Sequence, residues 1–487
     1  MVVFMAVRSK HRLFRCVICI LICLILLYQL AVWLYNSPHL TAPIEVDVQK
    51  GTKGTEGTTN VNFSFVKECA LLPVNTEHLD CERIIDGDEE YIKSLREHRV
   101  AVDEADDSFA MDCSSVHGRG CYPSYPLSSE EAAFPIAFAT VIYKDYLIVE
   151  SIFNAIYAPQ NLFCYILDKK TSPVMRKQMH SLARCFPNVH ILQQEFDLDS
   201  YGNNMNTAYL GCYEHLLRSS RNWKYVVSLQ NHDMPLRTNR DLVRILKIFN
   251  GSNDVEVTKP NKDRIPLPKW TPPNPHREYS WTLQSLGIVR NKSLSLDDNA
   301  ELTLTKGGTA TMLTYDFVRF ILRDLDLSEL LRRLNEKHYT DEMLFSTLHS
   351  SDVLSAPGGH TTRCLKKSKF FSKGMTRSTH WYARYNCLSG YTRHNVCIQG
   401  IENVHEMKTR HGLFMNKFVP EFDYGAIVCH LKQLMRQKMN PEEWKTAIDT
   451  EYYSSLPNIR LHNLRQAGKA VDFESFDCSL LGKDALI

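Results

Sequence analysis

Ile136-Ala-Phe-Ala-Thr-Val-Ile-Tyr143, Leu162-Phe-Cys-Tyr-Ile-Leu167 and Tyr225-Val-Val-Ser-Leu229 are short uncharged runs, each followed within a few residues by a polar turn. Runs of this length and composition suit strands buried on both faces. Between them lie spans with helical spacing, Tyr146 to Tyr157, Ser172 to Cys185 and Asn206 to Ser219, and a further short strand, Val189 to Leu192. Strands alternating with helices predict an α/β fold with a mainly parallel sheet covered on both sides. Ligands of such sheets gather at the carboxyl ends of the strands. Asp168, directly after the second run, and Asp233, in the turn Gln230-Asn-His-Asp-Met-Pro235, are therefore candidate binding carboxylates. Each reads equally well as a helix cap or turn residue.

Toward the N-terminus, Cys16 to Tyr35 carries no charge and follows Arg8, Lys10, Arg12 and Arg15. A helix of that length crosses a hydrocarbon core of ~30 Å. The flanking cations predict a signal anchor over 16–35, with the tail 1–15 cytosolic and the rest lumenal or outside. A cleaved signal peptide is the rival reading, and no convincing small-residue cleavage site follows the run. Residues 36–66, with Lys50-Gly-Thr-Lys-Gly-Thr-Glu-Gly-Thr-Thr-Asn60, have almost nothing to bury and predict a flexible stem. A cysteine-bearing cap over 67–125 precedes the main globular region, 126–455, and a tail, 456–487.

Of 15 cysteines, three fall in the apolar run, and the remaining dozen predict disulfides in an oxidising compartment, with pairing not given by the sequence alone. Asn62, Asn250 and Asn291 open N-x-S sequons accessible to glycosylation there. A net charge of +2 provides no basic field for nucleic acid.

No Gly-x-Gly-x-x-Gly or phosphate-binding Gly-Lys-Ser/Thr loop follows the first strand, and no His-Glu-x-x-His or paired Cys-x-x-Cys lies beyond residue 35. Dinucleotide, P-loop and zinc-hydrolase chemistries lose their footing. Asp-x-Asp triplets at Asp86/Asp88, Asp197/Asp199 and Asp324/Asp326 could hold a divalent cation, but none follows the strand ending at Leu229. They read as solvated surface. More informative are Thr305-Lys-Gly-Gly-Thr-Ala-Thr311, whose glycines allow close backbone approach to a ligand, and His338-Tyr-Thr-Asp-Glu-Met-Leu-Phe345. The latter sets Asp341 and Glu342 at the positive end of a helix.

Six tracts occur together in one order: Leu127-Ser-Ser-Glu-Glu-Ala-Ala-Phe-Pro-Ile-Ala137, Ala155-Ile-Tyr-Ala-Pro-Gln-Asn161, Asn222-Trp-Lys-Tyr225, Asp233-Met-Pro-Leu-Arg-Thr-Asn239, Tyr339-Thr-Asp-Glu342 and His411-Gly-Leu-Phe-Met-Asn-Lys-Phe418. In these the chain resembles the core-2/I-branching β-1,6-N-acetylglucosaminyltransferases, Golgi enzymes with peptide O-xylosyltransferases as distant relatives. The resemblance implies a GT-A-like catalytic domain on a single-pass type II membrane protein of the Golgi, and inverting transfer from a UDP-sugar to the Galβ1,3GalNAc core of O-glycans. It implies no required metal cofactor, and it leaves a homodimer open. Glu342 matches the catalytic base, which takes the proton of a primary 6-hydroxyl as that oxygen attacks the anomeric carbon. Fixed cations would neutralise the leaving diphosphate: Lys417 matches one. The other falls in the loop Cys387 to Cys397, on Arg393 or His394 according to the direction of counting. Arg393 is preferred because its charge does not depend on pH.

By the same resemblance, Asp168 and Asp233 serve the donor, and Glu256, Lys262, Arg264 and Trp381 the acceptor. The implied disulfides are Cys81 with Cys429, Cys113 with Cys185, Cys164 with Cys212 and Cys387 with Cys397, each stabilising by ~2–4 kcal/mol. Cys69, Cys121, Cys364 and Cys478 remain, enough for two further bridges. Gln230 stands where the family has a free active-site cysteine, Asn203 where it has tryptophan, and Lys306-Gly-Gly-Thr-Ala310 where it has Ser-Gly-Ser-Ala. These differences near the expected sugar pocket leave UDP-glucose open as donor beside UDP-N-acetylglucosamine. Two other readings are an O-xylosyltransferase acting on peptide serine and a silent glycan-binding protein, the latter disfavoured by retention of Glu342, Lys417 and a nearby arginine.

Overall fold

A computed structural model describes residues 76–103, 107–219, 222–267, 278–366, 370–381, 387–444 and 447–479. The apolar run 16–35, the stem, Asn62 and Cys69 lie outside the described residues. Among the described residues no helix is long and apolar enough to cross a membrane.

The runs that decide the fold class form the centre of a mixed α/β structure. Strands β1 (Ile136–Ile142), β2 (Leu162–Leu167), β3 (Val189–Ile191) and β4 (Tyr225–Gln230) run parallel in the order β3-β2-β1-β4, and Met312–Thr314 adds an antiparallel edge on β4. Phe138 of β1 is in register with Phe163 of β2 and Val227 of β4. The Phe138 and Phe163 rings stack with centroids 5.1 Å apart.

Their face of the sheet is covered by Tyr146–Ile156, a helix buried along its whole length, and by Pro173–Cys185, which starts at a Ser172 cap with Pro173 in the first turn. The opposite face carries Ala137, Ala139, Cys164 and Val226 against Tyr209 and Tyr213 of the helix Met205–Leu217. Small residues on that face make room for the two tyrosine rings.

Three of the six tracts meet in one buried relay. Asn161 accepts the Ile136 N–H (2.9 Å) and donates to Asn239 (2.7 Å), which donates to the Glu131 carboxylate (2.7 Å). Their separation in sequence is closed by burial, and each polar group is matched by another.

The N-terminal cap docks on the C-terminal half. Helix Cys81–Asp86 packs on Ile401–Met407 and Tyr424–Met439, and Arg99 pairs with Glu402 and, at 2.5 Å, with Asp423. Cys81 is bonded to Cys429, Cys113 to Cys185, Cys164 to Cys212 and Cys387 to Cys397, the pairs that the family resemblance implies. Cys364 is bonded to Cys478, and Cys121 is disulfide-bonded as well.

The division at residue 456 is not a packing boundary. Helix Pro457–Gln466 buries Ile459 and Leu461, and with Cys478 bonded to Cys364 this stretch belongs to the globular body. The span Asp316 to Glu336, which carries the Asp324/Asp326 triplet, does not form one continuous helix. It divides into Tyr315–Arg319, a π turn Phe320–Asp324, and Ser328–Leu334.

Candidate functional site

Glu342 ends a 3-10 turn, Thr340–Glu342, that runs into the helix Leu344–Ser350. The turn is fixed at its start by Tyr339 in the left-handed region (φ 62°), whose N–H donates to the Tyr201 carbonyl at 2.6 Å. At its end, the Gly307 N–H donates to the Glu342 carbonyl at 2.7 Å. The Glu342 side chain is about a quarter exposed, and its Oε2 accepts from Arg264 Nη1 (2.6 Å) and lies 2.9 Å from Lys306 Nζ. The Arg264 guanidinium also lies over the Tyr339 ring, 4.8 Å from its centroid. With both cations on one oxygen, the direction of this carboxylate is fixed.

Asp341 is a different kind of carboxylate. It is packed on Gly202, and Oδ1 is buried with no hydrogen-bond partner among the described residues. Burial, and then the charge of Glu342, push its carboxyl up to about 7. Two adjacent acidic residues thus have unlike environments, one wet and paired, the other dry.

The second half of the site lies past the carboxyl ends of β1 and β4. Lys144 follows β1, Lys417 follows the strand Phe414–Asn416, and Arg393 sits in the short hairpin of Thr392–Arg393 with Val396–Cys397. Glu421 Oε1 lies 2.7 Å from Lys144 Nζ and 3.8 Å from Arg393 Nη1. Burial, then the positive charges of Arg393, Arg377 and Lys144, draw the Lys417 ammonium below its usual range, with Asp233 opposing them. Behind this cluster, buried His232 is bonded to Asp145 at 2.6 Å and is driven toward neutrality by burial. Converging cations in a partly dry setting are what a diphosphate requires.

The two halves are joined by the segment 305–314. Lys306 reaches Glu342, while Thr309 Oγ1 lies 3.5 Å from Arg377 Nη2. Arg377 donates to Gln230 Oε1 at 2.8 Å, and Asp233 accepts from Asn416 (2.8 Å) and the Gln230 N–H (2.7 Å). Asp233 is fully buried in this network, a support beneath the cations.

The remaining sequence candidates are placed as follows. Asp168 accepts the Lys170 N–H at 3.0 Å and pairs with its ammonium at 3.2 Å, so its carboxylate closes the turn after β2 while standing at a strand end. Glu256 lies against Gly307 and Gly308. The close approach that Gly307 permits is to the backbone carbonyl of Glu256, so this glycine answers a chain-on-chain contact. Lys262 shares the 3-10 turn Lys262–Arg264 with Arg264 but is exposed.

Trp381, 44% exposed, bridges to Val396 beside the Cys387–Cys397 loop. Of Arg393 and His394, Arg393 takes part in the ion-pair network, whereas His394 and Asn395 form the left-handed tip of the hairpin (φ 53° and 63°). Asn203 is bonded to Asp199 at 2.6 Å. Asn250 and Asn291 bond to Asn463 (3.1 Å) and Asp324 (2.8 Å).

The Asp-x-Asp triplets are used locally: Asp88 caps Tyr91 N–H, Asp199 accepts from Tyr201 and Asn203, and Asp326 from Ser328. Among the described residues no three His, Cys, Asp or Glu side chains are grouped to hold a metal ion. Sequence reasoning missed Lys144 and Arg377. Lys144 was within reach of the strand-end rule, but Arg377 sits on a short strand with no periodic signal.

A family model described as "Core-2/I-Branching enzyme" matches residues 136–408. The chain is 26% identical over 380 residues to "Beta-1,3-galactosyl-O-glycosyl-glycoprotein beta-1,6-N-acetylglucosaminyltransferase 3" of Rattus norvegicus, covering 74% of this chain and 83% of that protein. It is 29% identical over 381 residues to the corresponding enzyme 4 of Danio rerio, covering 76% and 86%. With "N-acetyllactosaminide beta-1,6-N-acetylglucosaminyl-transferase" of Homo sapiens it is 27% identical over 376 residues, covering 77% and 88%. With the family model covering more than half of its length, and with a parallel-dominated sheet bearing a held carboxylate and a cation cluster at its strand ends, the chain belongs to the Core-2/I-Branching enzyme family of glycosyltransferases.

Proposed function

We propose that this protein is an inverting, UDP-sugar-dependent β-1,6-N-acetylglucosaminyltransferase acting on the Galβ1,3GalNAc core of O-glycans. The observation that carries the reading is the Glu342 carboxylate held by Arg264 and Lys306, joined through one segment to the cations Lys144, Arg377, Arg393 and Lys417. Glu342 takes the proton from the acceptor 6-hydroxyl. That oxygen forms its bond to the anomeric carbon as the bond to UDP breaks on the opposite face. The electron pair leaves with the diphosphate, whose charge the cations take up in place of a divalent ion.

Asp168 accepts from the uridine or ribose, and Asp233 holds Arg377 and Asn416 in place. Glu256, Lys262, Arg264 and Trp381 line the acceptor side, Trp381 offering its exposed ring to the C–H face of a pyranose. The sheet order fits a GT-A-like fold. The run 16–35 anchors the chain as a type II protein of the Golgi membrane, and Asn62, Asn250 and Asn291 are its glycosylation positions.

The test is transfer by a secreted form beginning at Gly54, given Galβ1,3GalNAc and, in parallel, UDP-N-acetylglucosamine, UDP-glucose and UDP-xylose in EDTA. Transfer of N-acetylglucosamine in a β-1,6 linkage that survives EDTA is the expected result. Transfer of glucose alone would reassign the donor to the Asn203 and Lys306-Gly-Gly-Thr departures. Glycan binding without transfer from any donor would make the protein a silent binder.

A further inference from the structure

We propose that Lys306 is a positioning residue of the transfer reaction, one that fixes which oxygen of Glu342 meets the acceptor. The inference rests on the reading of Glu342 as the base. Arg264 and Lys306 both bind Oε2, and among the described residues only that oxygen is so held. Oε1 is left to receive the hydroxyl proton. A glutamate loses rotamer freedom when fixed, and two cations on one oxygen offset that cost before the acceptor arrives.

Lys306 is itself well anchored. Its N–H donates to the Thr258 carbonyl (2.9 Å), and its own carbonyl accepts from the Thr258 N–H (2.6 Å) and Oγ1 (3.0 Å). The next residue, Gly307, holds the Glu342 carbonyl. One short segment therefore grips both the main chain and the side chain of the base, and the Gly307 contact with Glu256 keeps that segment in register.

The second cation at the base is thus supplied by residue 306, while Lys262 lies exposed at the start of the same 3-10 turn as Arg264. Lys306 takes no part in the proton transfer itself. The hydroxyl proton ends on Oε1, and the bonding electrons of the broken glycosyl–phosphate bond leave with UDP.

The test compares Lys306→Met, Lys306→Arg and Glu342→Gln in the secreted enzyme, with kcat, donor KM and Tm measured for each. Lys306→Met should lower kcat about 10- to 100-fold with donor KM and Tm almost unchanged, since a misaimed group costs turnover rather than donor binding. Lys306→Arg, which keeps the charge, should recover most of that loss. Wild-type kcat in Lys306→Met beside an inactive Glu342→Gln would overturn the inference alone. Equal losses in both lysine variants with matching falls in Tm would also overturn it, by assigning a structural role. An active Glu342→Gln would instead overturn the reading of the base.

Discussion

The Asp341 carboxylate rests on the backbone of Gly202, which has φ 82° and no room for a Cβ. The loop before the helix Met205–Leu217 and the turn that carries Glu342 are thereby packed as one piece, with the Tyr339-to-Tyr201 hydrogen bond beside the contact. Gly202→Ala should strain the loop and push Asp341 away, costing about 1 kcal/mol or more for the backbone alone. Thermal unfolding should show that loss, and kcat should fall further than donor KM rises.

Asp341 also gives stability a pH dependence. Its carboxyl is raised to about 7, so the folded chain binds that proton more tightly than the unfolded chain does. The sign follows: its contribution to stability is fully present below about pH 4 and is lost as pH rises through about 7. Asp341→Asn should remove the penalty, of order 4 kcal/mol at neutral pH from the ~1.4 kcal/mol per unit scale. Denaturant melts at pH 5 and pH 8 should show the variant gaining on the wild type at the higher pH. An equal difference at both would contradict the assignment.

Arg393→Gln and Lys417→Met should weaken UDP binding by about 10-fold or more each, the worth of a charge-assisted hydrogen bond. Titration calorimetry with UDP tests this, with acceptor KM close to unchanged.

Asn239→Ala should cost about 1–3 kcal/mol, because it strips partners from buried Asn161 and Glu131 without touching the site. Chemical unfolding measures the loss.

Much of the fold is legible because it is written in local pattern. Ile136–Ile142, Leu162–Leu167 and Tyr225–Gln230 are apolar on both faces, and only a covered parallel sheet buries both. The break within 316–336 was not legible, since its charged and apolar residues keep helical spacing while Leu325 and Leu327 turn inward to the core. The site divides in the same way. Glu342 and Lys417 lie in tracts with recognisable order, whereas Arg264 and Arg393 lie between those tracts and come only from the family resemblance. Lys144 stands just past β1, where the strand-end rule could find it, but Lys306 and Arg377 are brought in only by strand pairing and turns between residues far apart in sequence, which no spacing rule reports.

The most direct test is Glu342→Gln in the secreted enzyme, assayed for transfer from UDP-N-acetylglucosamine to Galβ1,3GalNAc alongside UDP binding by calorimetry. Loss of a general base predicts a fall in kcat of about 10²- to 10⁴-fold with UDP affinity retained. Turnover within a few-fold of wild type would remove Glu342 as the base.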